Sequence, residues 1–237
     1  MILVLWDIDR TLLYVGDTDR LVYREVFRKI VGRSAQQLPA RGTGVTMPLA
    51  VRELLSANGV PESEIDHLAD LMVDHLPGQL NRHREALRCD GHLMPGAVEA
   101  LVAVRHAQLL VPTVVTGNLR ASAEIKLSAF SLQDYVDTTV GGYASDDSHR
   151  PALVRIAQAR AEAVYGHAFS RENTVIIGDS LQDVRTGQEG GARVVGVASG
   201  TTSAEHLIAE GADHVMPDLT DAGRLVELIH AIAGRVA

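Results

Sequence analysis

Apolar positions fall into two regimes along this chain. Residues 2–6, ILVLW, form an unbroken apolar run that stops at Asp7. A short apolar run without alternation is how a strand buried on both faces of a parallel sheet reads. LLVPTVVTGN (109–118), TVIIGDSLQD (174–183) and RVVGVASGTTS (193–203) have the same form, ending in glycine, charge or small hydroxyl residues. Pro112 falls inside the second of these, and proline cannot donate to a strand ladder, so that strand is expected to start at or just after it. In 145–164 the positions Leu153, Ile156, Ala157, Ala161 and Val164 fit one helical face, with Pro151 in the first turn. Residues 17–87 are different. They lack strand signals and read as several helices, including DTDRLVYREVFRKIVG, TMPLAVRELLSANG and PESEIDHLADLMVDHL, with a break at Gly59-Val60-Pro61. Gly91 to Gly96 marks the return to the alternating pattern.

Strands alternating with helices predict an α/β fold with a Rossmann-like parallel sheet core and helices on both faces. Residues 1–16 and 88–237 supply that core, and 17–87 an inserted α-helical cap domain. Composition narrows the function. A net charge of −8 argues against a general nucleic-acid-binding surface. No apolar run is long enough for a bilayer, and the N-terminus enters a strand directly, unlike a signal peptide. The lone cysteine, Cys89, excludes an intramolecular disulfide and fits a reducing, cytoplasmic setting; it is expected to be a small buried or partly buried side chain. The ten histidines are scattered and offer no metal-ligand spacing.

Candidate chemistry sits at the strand ends, where open α/β sheets bind ligands. Asp7 and Asp9 lie two apart beyond the first strand. Carboxylates this close repel each other unless a cation sits between them or one keeps a proton. Thr116, Gly117 and Asn118 close the second run, Arg150 precedes the helix at Pro151, and Asp179 and Asp183 follow the third. Singly, each has a bland alternative: a turn aspartate, a strand threonine, a surface arginine, a helix cap with a solvated first-turn acid.

Together they resemble the haloacid dehalogenase-like hydrolase superfamily, and within it the phosphoglycolate-phosphatase-like enzymes. Asp-x-Asp-x-Thr appears as Asp7, Asp9 and Thr11, the strand-closing hydroxyl as Thr116, the basic residue as Arg150, and Gly-Asp-x-x-x-Asp as Gly178, Asp179 and Asp183, in the family's order. The resemblance implies a magnesium (Mg2+)-dependent phosphatase acting on a small phosphorylated metabolite through an aspartyl-phosphate. Asp7 would be the nucleophile and Asp9 the acid and then base. Thr116, Gly117, Asn118 and Arg150 would bind the phosphoryl group. Asp7, the backbone carbonyl of Asp9, and Asp179 would hold the metal, with Asp183 in support. A helical cap at this position closes over the site, and Arg41 and Thr43 are the candidate substrate contacts, beside the simpler alternative of a helix start capped by Thr46. The sequence departs from the pattern at Arg10, where glycine is usual, and at Arg150, where lysine is usual in a chain with 2 Lys against 20 Arg. Lys126 is the reserve candidate for the basic role. A phosphomutase is a close alternative. A 2-haloacid dehalogenase would not need Asp9, because halide leaves without a proton, and a receiver-like phospho-switch has about half this length and no insert.

Overall fold

The computed structural model describes residues 1–40 and 44–233. In chain order the elements are β1 (Ile2–Trp6), β2 (Leu13–Tyr14), α1 (Thr18–Val31), α2 (Met47–Ala57), α3 (Glu62–Arg82), α4 (Arg84–Asp90), β3 (His92–Leu93), α5 (Ala97–His106), β4 (Leu110–Thr116), α6 (Arg120–Ala129), β5 (Gly142–Tyr143), α7 (Arg150–Tyr165), β6 (Thr174–Gly178), α8 (Leu181–Gly190), β7 (Arg193–Val197), α9 (Ala204–Glu210), β8 (His214–Met216) and α10 (Ala222–Ala233). Six strands form one parallel sheet in the order β5-β4-β1-β6-β7-β8, and β2 pairs antiparallel with β3 in a small ribbon.

Both faces of the sheet are buried, which is why its strands read as continuous apolar runs. Val4, Trp6, Val114, Val175, Ile177, Val195 and Val197 point into one apolar layer, with α5, α6, α10 and the helices between β2 and β3. Leu3, Leu5, Val111, Val115, Ile176 and Val194 point into the other, against α7, α8 and α9. Each such side chain contributes about 1.5–3 kcal/mol on burial, so β1, flanked on every side, is the most firmly placed element of the core. Helices α1 to α4 all lie between β2 and β3. The break at Gly59-Val60-Pro61 falls between α2 and α3 as expected.

Three expectations need correction. Pro112 lies in the middle of β4, which starts at Leu110. The strand tolerates it because β5 pairs only with Val115 and Thr116, so the missing N–H opposes no strand; the Pro112 carbonyl instead accepts from the Asp137 N–H, 2.8 Å away. Cys89 is exposed. On the short helix α4 Leu87 is the residue turned inward, and two positions further on the helix faces away. On α7 the buried face is Leu153, Val154, Ala157 and Ala161, while Val164, in the last turn beyond the core, is exposed.

Candidate active site

The chain leaves β1 towards β4 and β5 on one side, then crosses to β6, β7 and β8 on the other. The crevice beyond the strand ends at such a switch point is where open α/β sheets bind ligands. The Asp7 N–H continues the ladder by donating to the Ile177 carbonyl at 2.9 Å, which fixes Asp7 at that edge. The ends of β1, β4 and β6 deliver Asp7 and Asp9, Thr116 to Asn118, and Asp179 into one cavity of about 190 Å³.

Three carboxylates meet at its base. Asp7, Asp179 and Asp183 are all buried, and each offers an oxygen within 4.8 Å of the others. Asp183 is fixed by a capping box at the start of α8: Ser180 Oγ accepts from the Asp183 N–H at 3.2 Å, and Asp183 Oδ2 accepts from the Ser180 N–H at 2.9 Å. The helix cap is therefore Ser180, not Asp179, and Asp183 is a buried acid, not a solvated one. Asp179 Oδ2 accepts from the Thr201 N–H at 2.9 Å, and Thr11 Oγ1 donates to Asp179 Oδ1 at 3.3 Å. Gly200 leaves room for this carboxylate, since a Cβ there would collide with it.

Arg150 opens α7 and is buried, with Nη2 donating to Asp7 Oδ1 at 2.8 Å and to Asp183 Oδ1 at 2.5 Å, and Nη1 donating to the Gly44 carbonyl. Burial opposes its charge, but Asp183 and Asp7 lift its pKa above the ordinary arginine value. Burial, and then repulsion from Asp183, hold the Asp7 carboxyl well above the usual carboxylate range despite Arg150. The same two causes push Asp179 up to about 6. Three buried carboxylates thus face one guanidinium. That charge deficit, met by oxygen donors alone, fits a hard divalent cation.

The deficit has a measurable consequence. Asp179 has a raised folded-state pKa, so the native state keeps a proton that the unfolded chain has lost between its ordinary 3.8 and about 6. Stability from this group is full below that window and is lost as pH rises through it. In metal-free buffer at pH 7, Asp179→Asn should therefore raise stability by about 1–2 kcal/mol, after allowing for the weaker bond to Thr201. The gain should shrink towards zero at pH 4. Thermal melts of both proteins at the two pH values check this; a variant less stable than wild type at pH 7 would contradict it.

Asp9 is held separately. Its carboxylate accepts from Asn118 Nδ2 at 2.7 Å and from Lys126 Nζ at 2.8 and 2.9 Å. Its side chain does not join the three-carboxylate cluster. Lys126, on α6, is fully buried and also donates to Asp19 Oδ2 of α1 at 2.8 Å. Burial opposes the ammonium charge, and the Asp19 and Asp9 carboxylates more than offset it, so its pKa is raised. Thr116 Oγ1 accepts from the Asn118 N–H at 3.2 Å and Nδ2 at 2.8 Å. Gly117 packs beneath the backbone of Val45 and Thr46, and its carbonyl accepts from the Met47 N–H at 2.7 Å, bringing the segment before α2 onto the site. Thr46 does stand at the start of α2, but its hydroxyl donates to the Ser148 carbonyl at 2.9 Å.

The structure thus brings together Asp7, Asp9, Thr116, Gly117, Asn118, Arg150, Asp179 and Asp183. Arg41 and Thr43 lie outside the described residues. Sequence reasoning missed Asp19 and Thr201 and gave Lys126 only a reserve place. The available signal was a lysine on the apolar side of α6, beside Ala123 and Leu127.

Comparison with known proteins agrees with this geometry. A family model described as HAD-hydrolase-like matches residues 149–222. Phosphoglycolate phosphatase from Nitrosospira multiformis is 22% identical over 224 residues, covering 94% of this chain and 95% of that protein. A hydrolase structure from Pseudomonas syringae is 21% identical with a TM-score of 0.69, covering 97% of this chain and 99% of the other. A structure from Bacteroides vulgatus, provisionally named a β-phosphoglucomutase, is 18% identical with a TM-score of 0.66, covering 99% of this chain and 91% of the other. In its motifs, its sheet order and its buried acidic cluster the chain resembles the haloacid dehalogenase-like hydrolases, whose family model matches residues 149–222.

Proposed function

We propose that this chain is a Mg2+-dependent phosphatase that hydrolyses a small phosphate monoester through an aspartyl-phosphate on Asp7. The observation that carries the reading is the separation of two carboxylates two residues apart. Asp7 sits in the acidic cluster with Arg150, while Asp9 is held away from it by Lys126 and Asn118. This separation supports different roles for the two, attack on phosphorus for Asp7 and proton handling for Asp9.

In this reading the Asp7 carboxylate attacks phosphorus in line with the departing alkoxide, and Asp9 gives that oxygen a proton. A carboxylate that accepts from Lys126 and Asn118 is then in the form that takes a proton from water attacking the acyl phosphate. Thr116, whose hydroxyl oxygen accepts from Asn118, keeps its own hydrogen for a phosphoryl oxygen. The Gly117 N–H and Arg150 complete the anion site. Asp7, the Asp9 carbonyl, Asp179 and Asp183 would hold Mg2+, which supplies charge neutralisation at the phosphoryl oxygens. Helices α1 to α4 act as a cap that excludes water and selects the substrate, with Arg41 and Thr43 as its specificity contacts. The ligand is a small phosphorylated molecule, not nucleic acid, in keeping with the net charge of −8. Among the described residues no helix is long and apolar enough to cross a membrane, and a single, exposed cysteine supports a cytoplasmic setting.

Chelation with EDTA should lower phosphate release by about a hundredfold or more, the several kcal/mol that such an ion contributes, and added Mg2+ should restore it. Full turnover in metal-free buffer would overturn the reading. The likeness to a β-phosphoglucomutase keeps a second reading open. An isomerised sugar phosphate as the main product, dependent on a bisphosphate activator, would favour it over release of inorganic phosphate.

A further inference from the structure

Arg150 makes one contact more than charge neutralisation requires. Nη2 donates to Asp7 and to Asp183, which sets one end of the guanidinium between the two carboxylates. The other terminal nitrogen, Nη1, donates to the carbonyl of Gly44. Nε is buried and, among the described residues, has no partner. A buried donor left unpaired is a cost, and a lysine, with a methylene in its place, would not carry it. What arginine supplies is reach. Its fork holds two terminal nitrogens in one fixed plane and serves acceptors on two sides, whereas an ammonium is a single point.

Gly44 is fitted to that contact. Its φ is +67°, a region that suits glycine. A Cβ there would stand 2.8 Å from Ser180 Oγ and from Gln182 Cβ, and 3.1 Å from Arg150 Nη1. The residues that follow are fastened to the loops around the phosphoryl site. The Thr46 hydroxyl donates to the Ser148 carbonyl at 2.9 Å, the Met47 N–H to the Gly117 carbonyl at 2.7 Å, and the Leu119 N–H to Met47 Sδ at 3.4 Å. Gly44, Val45 and Met47 line the cavity together with Asp7 and Arg150. Met47 also begins α2, whose Val51, Leu54 and Leu55 are buried, so the helix follows the segment that leads into it. Among these fastenings only that of Arg150 also touches Asp7. One side chain therefore joins the residue proposed to attack phosphorus to the entry of α2.

We propose that Arg150 is a positioning residue for the segment 44–47 in addition to its charge-neutralising role: Nη1 latches the Gly44 carbonyl and holds this wall of the cavity against Asp7, a task lysine does not perform. The latch stands on the geometry alone, and its effect on turnover rests on the phosphatase reading.

The test compares wild type, Arg150→Lys, Gly44→Ala and the double variant. Lysine keeps a positive charge beside Asp7 and Asp183 and gives up Nη1. Alanine leaves Arg150 in place and breaks the contact from the other side. The first readout is amide hydrogen exchange in buffer without substrate or metal. The Met47 and Ala50 amides donate to the Gly117 and Thr46 carbonyls. Their exchange should quicken by about tenfold or more in either single variant, the scale of one lost hydrogen bond from a charged donor, while the β1 amides stay as in wild type. The double variant should exchange no faster than the quicker single one, because both changes break the same contact. The second readout is turnover of p-nitrophenyl phosphate with Mg2+. KM should rise by about threefold or more in Gly44→Ala, with a smaller fall in kcat. A merely structural residue would lower the melting temperature and the active fraction, and so kcat, at unchanged KM. Wild-type exchange at Met47 and Ala50 in Arg150→Lys, or additive effects in the double variant, would overturn the proposal. Equal loosening of β1 in Arg150→Lys, with no change of KM in Gly44→Ala, would overturn it as well. A wild-type enzyme that leaves p-nitrophenyl phosphate intact would overturn the phosphatase reading and leave the latch to the exchange data.

Discussion

Asp7→Asn should abolish turnover, lowering kcat by roughly 10⁴-fold or more, the scale seen when a nucleophile is removed, while the fold persists. The amide is nearly isosteric, and its oxygen can still accept from Arg150 Nη2, 2.8 Å from the present Oδ1. It cannot attack phosphorus. Stability should not fall, because the wild-type carboxylate is buried beside Asp183 and Asp179 and is held well above its ordinary pKa. Removing that charge relieves repulsion that function requires, the usual trade between activity and stability at a site. Steady-state kinetics and a thermal melt in metal-free buffer check both halves. Turnover above about one per cent of wild type, with contaminating phosphatase excluded, would contradict the assignment.

Lys126→Met should cost both stability and catalysis. Its ammonium is buried between Asp9 and Asp19, at 2.8 Å from each. Deleting one member of a buried ion network leaves the others uncompensated, typically at a cost of about 3–5 kcal/mol; the low end applies here, because Asp9 and Asp19 keep some contact with water. Asp9 would also lose the partner that orients it. The kcat loss should therefore grow with the basicity of the leaving group, as for Asp9→Asn, and be small for p-nitrophenyl phosphate, whose leaving group needs little protonation. A double variant with Asp9→Asn should lose no more activity than Asp9→Asn alone, since both changes remove one function. An equal kcat loss on good and poor leaving groups would make Lys126 a folding residue only. Because Lys126 also reaches Asp19 on α1, it ties that helix to Asp9, the proposed acid and base.

Much of the site was legible because each piece combines a buried strand with a polar end. A parallel strand needs no alternation, so β1, β4, β6 and β7 stood out as apolar runs, and the residues that stop them are the ones placed at the crevice. The order of the motifs then did what no single motif could. What escaped reading depended on long-range packing. β5, β8 and the β2–β3 ribbon are two or three residues long and carry no period of their own. Pro112 looked like a strand boundary because the sequence does not reveal which neighbour a strand lacks. Asp19 is a first-turn acid of α1 outside every motif, and its partner Lys126 lies 107 residues away. Arg10 was visible as a departure, but the stacking on Tyr14 that gives it direction comes from a turn conformation that sequence does not specify.

The central claim is that phosphoryl transfer passes through Asp7. The most direct measurement is acid quenching of the wild-type enzyme during turnover of its best phosphate ester with Mg2+, followed by peptide mapping. The account predicts a base-labile acyl phosphate confined to the peptide carrying Asp7, formed and lost at rates consistent with kcat, and absent from Asp7→Asn. A phosphoryl group on another residue, or steady turnover with no phosphoenzyme and kinetics of direct attack by water, would contradict it.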